Sequence, residues 1–245
     1  MSVHYGNRQP YYREVRRDNP TVLWRLGETS GTIARDEMGL YDGTYIGSPT
    51  LGVSGAVTGG NTAVGFNGAS QYVTGTTLGN IGSSLGSGMT VEAWVKKTNA
   101  ASRNCIAGTI NAGISTFFEF VHNSASDGTF LADSLRLAIR GSDGLTRSGA
   151  TSSVGLNDGN WHHVVAILNP SSLALYIDGA AKTVSSGVSS TPATFTNFDF
   201  PVGIGARNVR GTFDSLFLGT LDEVAIYNYA LSSARILKHY QAATQ

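Results

Sequence analysis

A single cysteine, Cys105, stands in a chain of 245 residues, so no intrachain disulfide can form. Secreted domains of eukaryotic origin more often carry bridges. The chain has no Asn-x-Ser/Thr glycosylation sequon, because Asn19 and Asn169 are each followed by proline and every other Asn lacks a hydroxyl residue two positions on. No apolar run approaches the length of a membrane span. The opening Met1-Ser2-Val3-His4-Tyr5-Gly6 lacks the apolar stretch of a secretion signal. Charge is scarce too. Charged residues are 14% of the chain, with Lys+Arg 17 against Asp+Glu 17, which points away from nucleic acid, an anionic membrane or a polyanionic substrate. These absences predict a chain made and folded in a reducing cytosol.

What the sequence has in quantity is glycine, 31 residues, together with Ser and Thr, between short apolar segments. That composition suits many short strands joined by turns, and the length suits one large all-β domain. Thr90 to Lys97 alternates: Val91, Ala93 and Val95 fall on one face, Glu92, Trp94 and Lys96 on the other. Trp161 to Leu168 and Leu173 to Ile177 read as a strand pair, and Asp178-Gly179 as the turn after it. Asn67-Gly68, between Ala63–Phe66 and Gln71–Val73, carries a hairpin signal. The spacing of these segments predicts two antiparallel sheets packed face to face. Helix is expected only near the end, where Ser232 can cap and Ile236, Leu237 and Tyr240 share a face.

Residues 1–20 differ from the rest. Tyr5, Tyr11 and Tyr12 are interleaved with Arg8, Arg13, Arg16 and Arg17, against only Glu14 and Asp18. Tyr and Arg are favoured anchors at interfaces, so the segment reads as an arm that docks on a neighbouring subunit. The plainer reading is a partly ordered tail. Either way residues 21–245 form the domain, and deletion of the arm is expected to leave it folded.

Val22-Leu23-Trp24-Arg25-Leu26-Gly27-Glu28, Thr90-Val91-Glu92-Ala93-Trp94-Val95, Asn160-Trp161-His162-His163-Val164-Val165, Leu175-Tyr176-Ile177-Asp178-Gly179 and Gly219-Thr220-Leu221-Asp222-Glu223-Val224 follow one another in an order that resembles the LamG-like jelly-roll domain, a relative of concanavalin A-type lectins. The resemblance covers about Pro20 to Ala243. It implies an all-β, two-sheet antiparallel jelly-roll sandwich with an N-terminal arm and a short C-terminal helix. It gives function only as a class, because the fold hosts lectins, hydrolases and structural modules.

Glycosidases on this architecture place carboxylates at alternate positions of one strand. No Glu-x-Asp-x-Glu run occurs here: Glu92 and Glu119 are isolated, and Asp222 and Glu223, being adjacent, would point to opposite faces of a regular strand. Gly82-Ser83-Ser84-Leu85-Gly86 matches a nucleophile pattern but sits in a Gly/Ser-rich loop, without the strand and helix such an elbow needs. Cys105 has no His beside it and reads as an inert thiol. His162 and His163 face opposite ways on a strand and cannot share a metal, so one ring is expected in the core and one at the surface. The resemblance also raises a structural Ca²⁺, with Asp36, Asp42 and Asp222 as its ligands. The alternative is that these Asp side chains bond their own turns.

For sugar binding, aromatic rings and hydrogen-bonding groups are needed together, and Tyr72, Trp94, Phe117, His122, Arg140 and Tyr176 are the candidates. Trp24 and Trp161 lie where the resemblance puts core residues. Phe195 to Phe200 and Phe213 to Phe217 read as aromatic loops that close over the core or form an interface. The expected function is a non-enzymatic structural and adhesion module of a phage virion, a minor tail or fibre-type protein with carbohydrate-binding capacity. Its partners would be other virion proteins through the arm, a host-surface glycan and a second copy of the chain, without nucleic acid or membrane insertion. The alternatives are a capsid decoration protein that binds no sugar, and a glycan hydrolase.

Overall fold

The computed structural model describes residues 9–59, 61–79, 88–98, 103–110, 117–123, 131–140, 146–169, 172–186 and 198–245. Two sheets account for most of them. The first runs, edge to edge, β14 (Ala180–Lys182), β13 (Ser172–Ile177), β12 (Trp161–Asn169), β7 (Met89–Lys96), β19 (Leu218–Tyr227), β5 (Thr62–Asn67) and β4 (Thr50–Ser54), with β1 (Val22–Trp24) also paired to β19. The second runs β15 (Val184–Ser186), β11 (Thr146–Ser153), β10 (Ser134–Arg140), β9 (Phe117–Asn123), β8 (Arg103–Ile110), β16 (Phe198–Ile204), β6 (Tyr72–Gly79), β3 (Gly43–Ile46) and β2 (Ile33–Ala34). A hairpin of β17 (Arg207–Val209) and β18 (Thr212–Asp214) joins it beside β8. Neighbouring strands are antiparallel apart from β17 with β8.

The period of two in β7 sets the layers. Val91, Ala93 and Val95 are fully buried between the sheets, with Val164 and Ala166 of β12 beside them and Phe118, Phe120, Leu137 and Ile139 of the second sheet opposite. Trp24 lies in this same core, and its indole N–H donates to the Tyr41 carbonyl at 2.8 Å. Asn67-Gly68 does not make the expected hairpin. The turn is there, with the Asn67 side chain accepting from the backbone N–H groups of Ala69 and Ser70, but β5 and β6 belong to different sheets. The chain therefore crosses the sandwich at this point, as a jelly roll does.

The outward face of β7 is not left to solvent. Two helices, α1 (Pro10–Arg17) and α2 (Ser233–Ala243), lie against it. The Ser232 side chain caps α2 by accepting from Arg235 N–H, as expected. The helix α1 was not expected. Pro10 opens it, Arg16 and Arg17 occupy its last turn, and Tyr11 and Val15, four residues apart, are fully buried on one face. Proline at a first helical position and basic residues near a C-terminus both favour a helix. The docking-arm reading of Tyr11 is thereby corrected: its ring meets Trp94 edge-on at 6.3 Å and His239 at 6.2 Å, inside its own domain. Tyr12 is half-buried and donates to Glu37 at 2.9 Å. Arg13, Arg16 and Arg17 are exposed, while Tyr5 and Arg8 lie outside the described residues.

A buried polar chain fastens this cap. Glu92 is fully buried and accepts from Tyr227 at 2.5 Å, while its other oxygen meets His163 at 3.1 Å and His239 at 3.0 Å. The far nitrogen of His239 meets Asp18 at 2.9 Å. Arg235 on α2 then bonds Asp18 at 2.7 Å and Glu14 at 2.8 Å. Burial alone would raise the Glu92 carboxyl, but the charge of His239 and the two imidazole hydrogen bonds hold it well below the ordinary carboxylate range. Burial would likewise lower His239, but Glu92 and Asp18 outweigh it and pull the imidazolium up to about 9.

Tyr11→Ala should therefore cost about 3 kcal/mol in urea unfolding, the range for deleting a buried aromatic ring; a docking arm would leave stability unchanged. The pH dependence has two limbs. His239, raised in the folded state above its ordinary 6.5, stabilises fully below about pH 6.5, and that stability is lost as pH rises through about 9. Glu92, depressed, stabilises above about pH 4.5, and its contribution is lost on acidification. Melting temperature measured against pH should fall on both sides of this window. His239→Gln should remove the alkaline limb and cost about 3 kcal/mol at neutral pH, because it leaves buried Glu92 without its cation.

Candidate functional site: a glycine-floored cleft and an arginine face

Where the helices end, the outer face of the first sheet opens into a cleft of about 590 Å³. Its floor is Gly65 on β5 and Gly219 on β19, which carry no side chains. Gly219 has φ +146°, and a Cβ there would lie 2.6 Å from the Lys96 carbonyl, so glycine is obligatory at this close approach. Gly65 differs: a Cβ there would meet nothing closer than 3.6 Å. Lys96, which follows Glu92 and Trp94 on the same face of β7, is exposed at the rim with Thr98 and Asn67. Gln71 is held rigidly, accepting from Asn67 N–H at 2.9 Å and donating to the Ser48 carbonyl at 2.8 Å. Lys97 is buried beneath, its ammonium donating to the Leu218 carbonyl at 2.7 Å and lying 4.6 Å from the Phe217 ring centre. Burial pulls its pKa down to about 8. Among the described residues, no Asp or Glu lines the cleft.

The outer face of the second sheet has a different chemistry. Glu119 of β9 lies opposite Ala138 of β10 and Gly108 of β8, so small neighbours leave room above it. Arginines fill that room. Arg103 and Arg136, the latter at 2.7 Å, converge on one Glu119 oxygen, and Arg207 reaches the other at 3.1 Å. Arg207 also forks onto Asp214 at 2.7 and 2.6 Å. Phe117 and Arg140, two of the residues expected to bind sugar, are direct cross-strand partners here, two positions along from Glu119 and Ala138. Both are half-buried. Tyr72, a third, stacks on Phe213 at 4.1 Å with 19° between the rings. Its neighbour Val73 points into the core, so alternation puts Tyr72 on this same outer face.

The other three candidates lie elsewhere. Trp94 is under the helices, stacked with His163 at 5.1 Å and Tyr240 at 6.0 Å, and presents no open face to a ligand. His122 is fully buried and bonds Asp133 at 2.8 Å. Tyr176 packs half-buried beside the α2 cluster. His162 and His163 divide as expected: His163 sits in the cap, while half-buried His162 meets Asp178 at 2.8 Å and Asp158 at 3.1 Å. Cys105 is buried, and burial pushes its thiol well up, so it is an inert side chain. The Gly82 to Gly86 segment and Phe195 lie outside the described residues, and Phe217 is a core residue.

Asp222 and Glu223 do not behave as neighbours on a regular strand. The register of β19 against β7 shifts between Asp222 and Ala225, and Glu223 takes φ +50°. This bulge turns both carboxylates toward one amide, Asn61 Nδ2, at 3.2 Å each. Arg25 forks onto Glu223 at 2.9 and 2.7 Å, and Ala56 N–H donates to Asp222 at 2.8 Å. Burial and mutual repulsion raise Asp222 strongly, and burial raises Glu223 despite Arg25. A carboxylate pair thus exists after all, but both members are fully buried and closed to a substrate.

The three Asp expected to bind Ca²⁺ do not fit the ion. Asp36 accepts backbone N–H bonds from Leu23, Met38, Leu40 and Tyr41 at 2.9–3.1 Å. Asp42 accepts from Asp36 N–H at 2.8 Å. N–H groups aimed at a carboxylate occupy the directions a cation would need, and Asp222 belongs to the separate Asn61 cluster. Among the described residues no group of three or more His, Cys, Asp or Glu could hold a metal. Asp36 and Asp42 order their own turn.

Comparison with known proteins agrees with this architecture. No curated protein matches the chain in sequence. Among solved structures, domain 4 of AbnA, an extracellular arabinanase from Geobacillus stearothermophilus solved in complex with arabinotriose, is similar at TM-score 0.63 and 20% identity, covering 91% of this chain and 98% of that one. The receptor-binding domain of a botulinum neurotoxin C/D mosaic serotype is similar at TM-score 0.61 and 14% identity, over 91% of this chain and 51% of that one. A Trypanosoma rangeli sialidase is similar at TM-score 0.61 and 13% identity, over 89% of this chain and 32% of that one. This chain therefore spans about half the toxin domain and about a third of the sialidase. At these identities the likeness is one of fold. The Laminin_G_3 profile matches residues 67–237, and the chain belongs to that family of the concanavalin A-like lectin/glucanases superfamily.

Proposed function

We propose that the domain is a non-catalytic carbohydrate-binding module that serves adhesion in a phage virion. The observation that carries this reading is the cleft on the first sheet. It offers hydroxyl, amide and ammonium groups around a glycine floor and, among the described residues, no carboxylate, which suits recognition of sugar hydroxyls and supplies no carboxylate pair for glycoside hydrolysis. The buried carboxylates are committed elsewhere, Glu92 to the helical cap and Glu119 to arginines. That an arabinanase domain of the same fold was solved with arabinotriose supports a saccharide ligand. The virion setting rests on chemistry of assembly: the sole cysteine is buried, so the domain needs no oxidative crosslink and can fold in a reducing cytosol. With Tyr11 and Val15 turned inward, the surface of α1 left for another particle protein is the one bearing Arg13, Arg16 and Arg17. Finding the chain by mass spectrometry in purified particles would support that setting; finding it only in the lysate supernatant would oppose it.

Gly65 gives a direct test of the cleft. A Cβ there makes only ordinary contacts and the backbone is not in the left-handed region, so Gly65→Phe should fold and fill the cleft. In calorimetric titration with neutral arabino-, xylo- and galacto-oligosaccharides, the unaltered domain should bind at least one, and Gly65→Phe should weaken that binding tenfold or more, about 1.4 kcal/mol. Incubation with the same sugars should release no shorter products. Undiminished binding by Gly65→Phe would remove the cleft as the site.

A further inference from the structure

Trp161 stands at one end of a row of residues that crosses the first sheet, and we infer that this row is the track of a linear, neutral oligosaccharide about four units long, with the Trp161 indole as the platform for its terminal ring. This rests on the reading of the cleft as a saccharide site, and adds the length of the ligand, its direction across the strands and a contact residue outside the cleft. Its basis is register. Trp161 of β12 lies directly opposite Lys96 of β7, and Lys96 opposite Thr220 of β19. Thr220 lies opposite Gly65 of β5, and Gly65 opposite Thr50 of β4. Val95, Leu221 and Val64, the chain neighbours of Lys96, Thr220 and Gly65, point into the core, so alternation puts these three on the outer face. Trp161 packs at the margin of the outer cluster, and Thr50 lines the cleft.

Neighbouring strands lie about 4.8 Å apart, so the row spans about 19 Å, and an extended sugar chain advances roughly one unit per strand. The residue types suit such a chain. Thr50 and Thr220 bring hydroxyls and Lys96 an ammonium, and none of the three holds a side-chain hydrogen bond or ion pair among the described residues. Their polar groups are therefore free for sugar hydroxyls, while Gly65 leaves the depth that a ring needs. Trp161 differs from the other two indoles. Trp24 and Trp94 are buried, whereas Trp161, at the first position of β12, is half-buried. Packing against the cap accounts for part of its ring and leaves the rest at the surface beside Lys96. Indole suits that place, with a flat apolar face and an N–H donor. The backbone on both sides of it is fixed in advance. Asp158 accepts from the Asn160 backbone N–H and side-chain amide, each at 2.8 Å. His162 is held by Asp178 at 2.8 Å and by Asp158 at 3.1 Å. Gly159 N–H donates to the Lys97 carbonyl at 2.7 Å and ties this loop to the rim of the cleft. Little freedom remains there to be lost on binding.

Calorimetric titration of the full chain with linear arabino-, xylo- and galacto-oligosaccharides of two to six units tests this. In the series that binds, affinity should rise with each added unit up to about four and then level, a gain of roughly tenfold or more in all. Trp161→Ala should weaken the tetrasaccharide roughly tenfold, while the disaccharide, which fits within the cleft, keeps its affinity. Trp161→Phe, which restores a flat ring, should recover most of that loss. A variant that merely loosened the fold would weaken every length alike. Gly65→Phe, by contrast, should weaken every length, because it blocks the middle of the row. Affinity that does not change beyond two units, or Trp161→Ala acting on all lengths alike or on none, would overturn the track while the cleft reading stands. Binding to no oligosaccharide of any length, or undiminished binding by Gly65→Phe, would overturn both.

Discussion

A carboxylate buried beneath two helices organises the outer side of this sandwich. Glu92 has no exposed surface, and a lone charge in that position would be far too costly to keep ionised. It is retained because Tyr227, His163 and His239 reach it from β19, β12 and α2, and because Asp18 and Arg235 continue the chain of bonds into the loop after α1 and back to α2. The terminal segments of the chain are thereby tied to the centre of the first sheet. The arrangement explains why Trp94 is a packing residue: the same helices that shelter Glu92 cover the indole two positions away.

That cover ends before Lys96, and its limit decides where the outer face is open. One face of β7 thus serves two purposes along its length, closed over Glu92 and Trp94 and open at Lys96, where the glycines of β5 and β19 leave a cleft. The two sheets also divide the chemistry. The first offers neutral hydrogen-bonding groups and a lysine around glycine, whereas the second gathers arginines about a single glutamate.

Much of the fold was legible in the sequence because strand periodicity is local. Val91, Ala93 and Val95 alternate with polar residues, and any sheet that buries one set must present the other. The cap of α2 at Ser232 was legible for the same reason, since the capping group and its N–H partner lie three residues apart. The helix α1 had a local signature too, Pro10 followed by Tyr11 and Val15 at helical spacing and stopped by Asn19-Pro20. That signature was masked by the Tyr and Arg content, which suits an interface as well as it suits a cap. Phe117 and Arg140 were named from the sequence separately, and nothing in it said that they are cross-strand partners.

By itself, then, the sequence determined the sandwich, its principal strands and its C-terminal helix, because nearest-neighbour sterics and alternating burial decide those within a few residues. Tertiary structure alone decided which faces are open. The bulge at Glu223 depends on how β19 pairs with β7, and it overrides the alternation that would have parted Asp222 from Glu223. The convergence of Arg103, Arg136 and Arg207 on Glu119 joins four strands of the second sheet, and the covering of Trp94 by Tyr11 and Tyr240 joins both ends of the chain. Such contacts are set by strand order and helix docking over long sequence separations, where local pattern carries no information about distance.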